Sequence, residues 1–304
     1  GPRADRRAWE SLYNELRPLA VDRANIPFLA LADQLQLSRF GGDTRYLPVP
    51  TVAELDAFDL DRAFALQRER FADASDFVFA FAGDFQAEEL ENLASRYLGT
   101  LPSAGVTEPA GTGQPSAPDG VVYAVVDSGG GELGALVFQF TQETPITNEL
   151  RLTLTLLESV LNQRLTALLR EELGATYSPF VAASVQTQPL ELVEVLVQVT
   201  GDPDGLQRIA DALEADLADL AAIGPTADQF AIAVEQTTRD YELIDNQFWL
   251  DTMTTYVSNS DLDPDDVADR IPDTLALTRA DLRSLARQLL RLDDYIRIDL
   301  VPVE

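Results

Sequence analysis

At 304 residues the chain is long enough for one large domain or about two of ordinary size, and a hydrophobic content of 46% marks it as globular. Its 22 basic residues, every one an arginine, stand against 51 acidic residues for a net charge of −29, which repels nucleic acid and anionic membrane. Cysteine and histidine are both absent, so disulfides, thiol nucleophiles, serine-histidine relays and cysteine or histidine metal sites are excluded within the chain. The acidic residues run the whole length, as in 211–219 and 261–269, the distribution of a solvated surface; an attraction for basic peptides is the other reading. No apolar run is long enough to span a membrane. Gly1-Pro2 has the look of a tag-cleavage scar, which implies a piece excised from a longer protein.

Trp9, Leu12, Tyr13 and Leu16 predict an amphipathic helix from Asp5 to about Arg17, and Pro27 opens a second helix through Leu31 and Leu35. Thr51-Val52-Ala53-Glu54 is a capping box starting a helical stretch that breaks near Asp59 and runs to Phe71. The period then changes. Asp76-Phe77-Val78-Phe79-Ala80-Phe81-Ala82 reads as a buried strand, and Asp84 is placed to cap a helix from Ala87 to Tyr97. Residues 103–120 are rich in Gly, Pro, Ser, Ala and Thr without a hydrophobic period, which reads as an inter-domain linker.

Beyond the linker, strands are predicted at Val121–Val126 and Leu133–Phe140, joined by Gly129-Gly130-Gly131 as a hairpin turn. No phosphate-loop order follows those glycines. A long leucine-striped helix begins near Leu152, with Leu154, Leu157, Leu161, Leu165, Leu168 and Leu169 at steps of three and four, and Gly174 sits where a left-handed C-cap is wanted. Strands follow at Phe180–Thr187 and Leu190–Thr200. Asp202-Pro203 starts a helix ending at Gly224-Pro225, and Thr226 caps another; Asn246-Gln247-Phe248-Trp249-Leu250 reads as aromatic core packing. Thr278 with Asp281 caps the final helix, and Tyr295–Val303 is a closing strand. Hairpins and helix pairs replace single crossovers, so the class is α+β, a mixed or antiparallel sheet with helices on one face rather than a doubly wound one.

Two residues stand out where the long helix stops. Arg170 lies in its last turn and Tyr177 at the entrance of the next strand; a cation complementing the helix dipole and a packing tyrosine is one reading of the pair. The whole string Leu169-Arg170-Glu171-Glu172-Leu173-Gly174-Ala175-Thr176-Tyr177-Ser178-Pro179 closely resembles a segment of the pitrilysin/insulinase (M16) family of zinc peptidases. A second resemblance to that family covers about forty residues, through 68–79, Gly83-Asp84-Phe85 and Tyr97-Leu98-Gly99-Thr100-Leu101-Pro102.

The resemblance implies an M16-like (LuxS/M16 metallopeptidase) fold in which 3–102 is the closing part of a truncated domain, 103–120 a linker and 121–304 a complete C-terminal domain. It implies the non-catalytic half of a clamshell peptidase, with Arg170 and Tyr177 holding the backbone of a bound peptide. Zinc would be bound in the parent enzyme by the partner half or subunit, through its inverted motif His-x-x-Glu-His; this chain offers no ligand for it and is expected to be inactive alone. An M16-like scaffold without activity and a peptide-binding subunit are the alternatives. The compartment is not fixed by composition, and the resemblance favours an extracytoplasmic one. Limited proteolysis is expected to cut first between residues 103 and 120 and release a piece starting near 120; first cuts inside 152–173 would place the boundary elsewhere.

Overall fold

The computed structural model describes residues 3–105, 117–129, 133–173, 178–242, 245–258 and 266–303. Five helices come first: α1 (Arg6–Asp22), α2 (Pro27–Arg39), α3 (Val52–Asp56), α4 (Leu60–Arg70) and α5 (Ala87–Tyr97). Their starts follow from local chemistry. The Asp5 carboxylate accepts from the N–H groups of Arg7 and Ala8, Pro27 occupies the first turn of α2, the Thr51–Glu54 capping box is complete, and Asp59 caps α4 after a break. Asp84 does not cap α5, whose N-cap position is Gln86 with no side-chain bond.

The strand expected over 76–82 is not formed. Strand composition needs a neighbouring strand to take its backbone hydrogen bonds, and no described strand pairs with this segment. Val78, Phe79 and Phe81 are exposed, and Phe71, Phe77 and Phe79 meet edge to face at centroid distances of 5.5 and 6.2 Å. The described ends of the predicted linker are tied down: Ala104 N–H donates to Asp73 at 3.0 Å and Gly120 N–H to Asp294 at 3.0 Å. Residues 106–116 lie outside the described residues.

The remaining elements are β1 (Val121–Asp127), β2 (Gly134–Glu143), α6 (Asn148–Leu173), β3 (Ser178–Gln186), β4 (Leu192–Gly201), α7 (Leu206–Ile223), α8 (Ala227–Glu242), α9 (Asn246–Ser258), α10 (Asp266–Ala276), α11 (Arg279–Leu289) and β5 (Tyr295–Val301). The five strands make one mixed sheet in the order β1-β5-β2-β4-β3, as the α+β class requires. The predicted β1–β2 hairpin is overturned, because β5 lies between the two, parallel to β1 and antiparallel to β2. The chain must therefore cross two strand spacings after Asp127, about 10 Å, rather than turn back on itself. Gly129 serves that crossing with φ +70°, where a side chain would meet the Pro27 ring. Gly130, Gly131 and the expected C-cap Gly174 lie outside the described residues.

Alternation along β2 divides the core. Leu136, Phe138 and Phe140 face α6, α7 and α11, where they join Leu157, Leu161, Leu217 and Leu282. Ala135 and Val137 face the other way, with Ile296, Ile298 and Leu300, onto Leu31 and Leu35 of α2. The helices after β1 thus lie on one face as expected, and α2, from the N-terminal segment, covers part of the other. The aromatic string at 246–250 is not core: Phe248 is half-buried against the Arg270 guanidinium at 4.4 Å, and Trp249 is exposed.

Beside β1 the helical face buries an ion pair. Arg297 donates to both Asp299 oxygens at 2.9 and 2.8 Å and to Gln207 Oε1 at 3.0 Å, and the Tyr123 hydroxyl donates to Asp299 at 3.0 Å. Burial, helped by the Glu214 carboxylate that accepts its proton at 2.9 Å, pushes the Tyr295 hydroxyl up to about 12. Asp299→Ala leaves the buried Arg297 with only the Glu214 carboxylate at 3.8 Å, so denaturant unfolding should show a loss of at most about 3–5 kcal/mol. The double change Arg297→Met, Asp299→Leu should recover most of it; a double variant as weak as the single one would mean that packing, and not charge, sets the cost.

Candidate functional site

α6 has two faces of opposite character, and the site follows from that. Leu154, Leu157, Leu161, Leu165 and Leu169 are buried against the sheet, so the residues turned away from it are held at fixed spacing on a rigid rod. Ser159, Gln163, Thr166 and Arg170 recur at steps of four, three and four, which draws a polar line along the helix. With Asn162, Ala167 and Gln236 of α8 they line an open groove of about 500 Å3. α8 is fixed against α6 by buried Ala233 and Thr237, and Ser159 donates to Gln236 Oε1 at 3.1 Å across the groove. Gln163 donates to Ser159 Oγ and to the Gln229 carbonyl, both at 3.4 Å.

Two arginines of α6 have contrasting surroundings. Arg164 is locked: it donates to both Asp216 oxygens at 2.7 to 3.1 Å and to Asp219 at 2.9 Å, which ties α6 to α7. Arg170 is exposed at the groove's end, in the last turn of the helix, with no hydrogen bond or ion pair among the described residues. Its five donors suit a carbonyl or a carboxylate, and no described residue takes them. Tyr177, the other predicted site residue, lies outside the described residues, and the strand it was expected to open starts at Ser178. The carboxamides and hydroxyls along the groove escaped the sequence reading, although their spacing opposite the leucine stripe was visible in it.

Next to Ser159 in the chain, Glu158 points at β3. Burial pushes its carboxyl up, and a hydrogen bond from the Ala183 backbone partly offsets this. Among the described residues no three His, Cys, Asp or Glu come together as a metal would need, and a donor set of carboxylates alone does not fit zinc.

The sequence pattern described as the peptidase M16 inactive domain matches residues 65–237, more than half of the chain and the whole of the groove. The chain belongs to that family. Probable zinc protease PqqL of Escherichia coli strain K12 is 26% identical over 192 residues, which are 62% of this chain and 20% of that protein. The structure of the periplasmic protease PqqL from E. coli superposes with a TM-score of 0.82 at 18% identity, over 97% of this chain and 33% of that one. A peptidase M16 inactive domain from Pseudomonas fluorescens superposes with a TM-score of 0.73 at 16% identity, over 99% of this chain and 72% of that one. At these identities the superpositions establish a shared fold. The chain spans only a fifth to a third of PqqL's length.

In this M16 inactive domain the raised carboxyl of Glu158 has a direct consequence for stability. The folded protein holds that proton more tightly than the unfolded chain does, so the group costs stability as the pH rises through its folded value. Glu158→Gln should accordingly melt higher than the parent near neutral pH and lose the advantage below about pH 4. Melting curves of both proteins across that range check it; a constant difference at every pH would exclude the titration.

Proposed function

We propose that this M16 inactive domain is the substrate-binding, chamber-closing C-terminal half of a zinc-dependent peptidase that hydrolyses peptides. The observation that carries the reading is Arg170, an exposed arginine without a protein partner among the described residues, held by a rigid helix at the end of a groove of alternating donors and acceptors. A peptide backbone presents the same alternation of N–H and C=O, and a guanidinium fork matches a carbonyl or a carboxylate. Tyr177 joins it on the strength of the sequence resemblance, giving a hydrogen bond to a substrate carbonyl or to the oxyanion that develops from it. Zinc, its water and the general base belong to a partner half or subunit bearing His-x-x-Glu-His, since this chain has no imidazole to offer.

The same reading makes 3–102 the closing part of a domain whose other strands would pair with 77–82, joined through 103–120 to a complete domain at 121–304. The exposed and unpaired aromatic run supports that division. An extracytoplasmic setting is proposed from the periplasmic relative.

The test is kinetic, on the reconstituted enzyme. Tyr177→Phe should lower kcat roughly ten- to a thousandfold with zinc content unchanged, because one donor to the developing oxyanion is lost. Arg170→Ala should raise KM as well, because that side chain holds ground and transition states alike. Thermal melting of the same preparations separates this from a packing role: variants that melt lower but keep parental kinetics would make the pair structural.

A further inference from the structure

Strand β1 is the edge of the sheet opposite β3, and no described strand lies beyond it. It pairs with β5 residue for residue, from Val121 on Tyr295 to Asp127 on Val301, so the backbone groups of its outer side stand in one regular row. Natural edge strands are ordinarily blunted by a charge, a proline or a bulge. The six residues Val121-Val122-Tyr123-Ala124-Val125-Val126 have none of these. Their side chains alternate: Val122, Ala124 and Val126 pack towards α2, while Val121, Tyr123 and Val125 lie on the helical side and stay 52%, 56% and 47% exposed. In a chain of net charge −29, that stripe is apolar and uncharged until Asp127.

The strand is also a complement to itself. Two copies meet edge to edge, antiparallel, about a two-fold axis normal to the sheet, which keeps each residue on the same face as the one it opposes. Centred on Ala124, that axis sets Tyr123 against Val125 twice, Val122 against Val126 and Val121 against Asp127. This register pairs all seven residues of β1 and opposes no two carboxylates. A centre at Tyr123 would set Asp119 directly against Asp127, and like charges placed opposite one another are destabilising.

We propose that β1 is an interface with a second copy of this chain, the two sheets joining edge to edge about a two-fold axis at Ala124. A contact confined to one strand is smaller than the roughly 800 Å2 per partner of a standard interface, so the expected dissociation constant is micromolar or weaker. The charge of −29 on each copy opposes the contact, and salt therefore strengthens it.

Sedimentation velocity of the 304-residue chain from about 1 to about 300 μM, in low salt and in about 1 M NaCl, tests it. A monomer–dimer equilibrium shifted towards dimer by salt is expected. Val125→Lys, at an exposed position, should leave the chain monomeric at every concentration even though it lowers the net negative charge. The chain has no cysteine, so single-cysteine variants report the register. Ala124→Cys should oxidise to a disulfide-linked dimer, its two Cα atoms standing about 4.5–5.5 Å apart, whereas Val121→Cys, about 20 Å from its copy, should not. Should Ala124→Cys fail to fold against α2, a mixture of Tyr123→Cys and Val125→Cys, which the register opposes, gives the same reading on oxidation. The proposal is overturned if the parent stays monomeric in high salt, if Val125→Lys dimerises like the parent, or if Val121→Cys links as readily as Ala124→Cys. The first of these results would leave the edge to a strand of a different protein.

Discussion

Strand β2 has no solvent face over Gly134–Phe140, and that constraint organises the rest. A strand buried on both sides must be covered twice. One cover comes from α6, α7 and α11, and the other from α2, which is separated from β2 by nearly a hundred residues of chain. Register follows from the same fact, because a slip by one residue would exchange Leu136, Phe138 and Phe140 for Ala135, Val137 and Gln139. The helical side needs three large side chains and the α2 side has room for small ones. Phe138 and Phe140 also stack on Tyr295 at 5.1 and 5.5 Å, which fixes β5 between β1 and β2. The N-terminal segment is thus held to the sheet through the face it covers.

Much of this was legible from local patterns, and the failures in the sheet share one cause. Caps at Thr51, Thr226 and Thr278, the break near Asp59 and the leucine stripe of α6 depend on residues within a turn or two of one another, and each formed as read. The β1–β2 hairpin failed because strand adjacency is decided by a distant segment, β5, whose Ile296, Ile298 and Leu300 bury better between two neighbours than at an edge. Residues 77–82 failed for the complementary reason: the side chains suit a sheet, but composition supplies no partner backbone. The one strand carrying a proline near its start, β3 with Pro179, is an edge strand, where a missing N–H costs least. Arg170 was singled out by the string around it, while the groove beside it was missed because Gln236 comes from another helix.

With every cation an arginine, the chain uses one side-chain chemistry for different ends, and surroundings decide which. Arg297 and Arg164 sit beside carboxylates in half-buried or buried places, where a planar fork satisfies several acceptors at once. Arg270 stacks on Tyr241 and Phe248 at 5.0 and 4.4 Å and donates to the Tyr241 carbonyl, an arrangement open to a flat ion that is weakly hydrated. Arg170 has neither carboxylate nor ring among its described neighbours. In a chain with 51 acidic residues, the groove at Arg170 has none of them in its described lining, so an outside acceptor meets no competitor among the described residues.

The two sheet faces then differ in what they leave open. On the helical side the leucine stripe consumes the apolar half of α6 and turns its polar half outward, so the exposed groove is rich in donors and acceptors and ends on a cation. On the α2 side the apolar surface stops where the helix stops, and β2 changes from Ala135 and Val137 to Gln139 and Thr141 at that boundary. Gln139 is buried at that boundary, and Asp119, Glu143 and Asp294 line a cavity beside it. Opposite charges therefore mark the open ground of the two faces, arginine at the groove and carboxylates at the cavity.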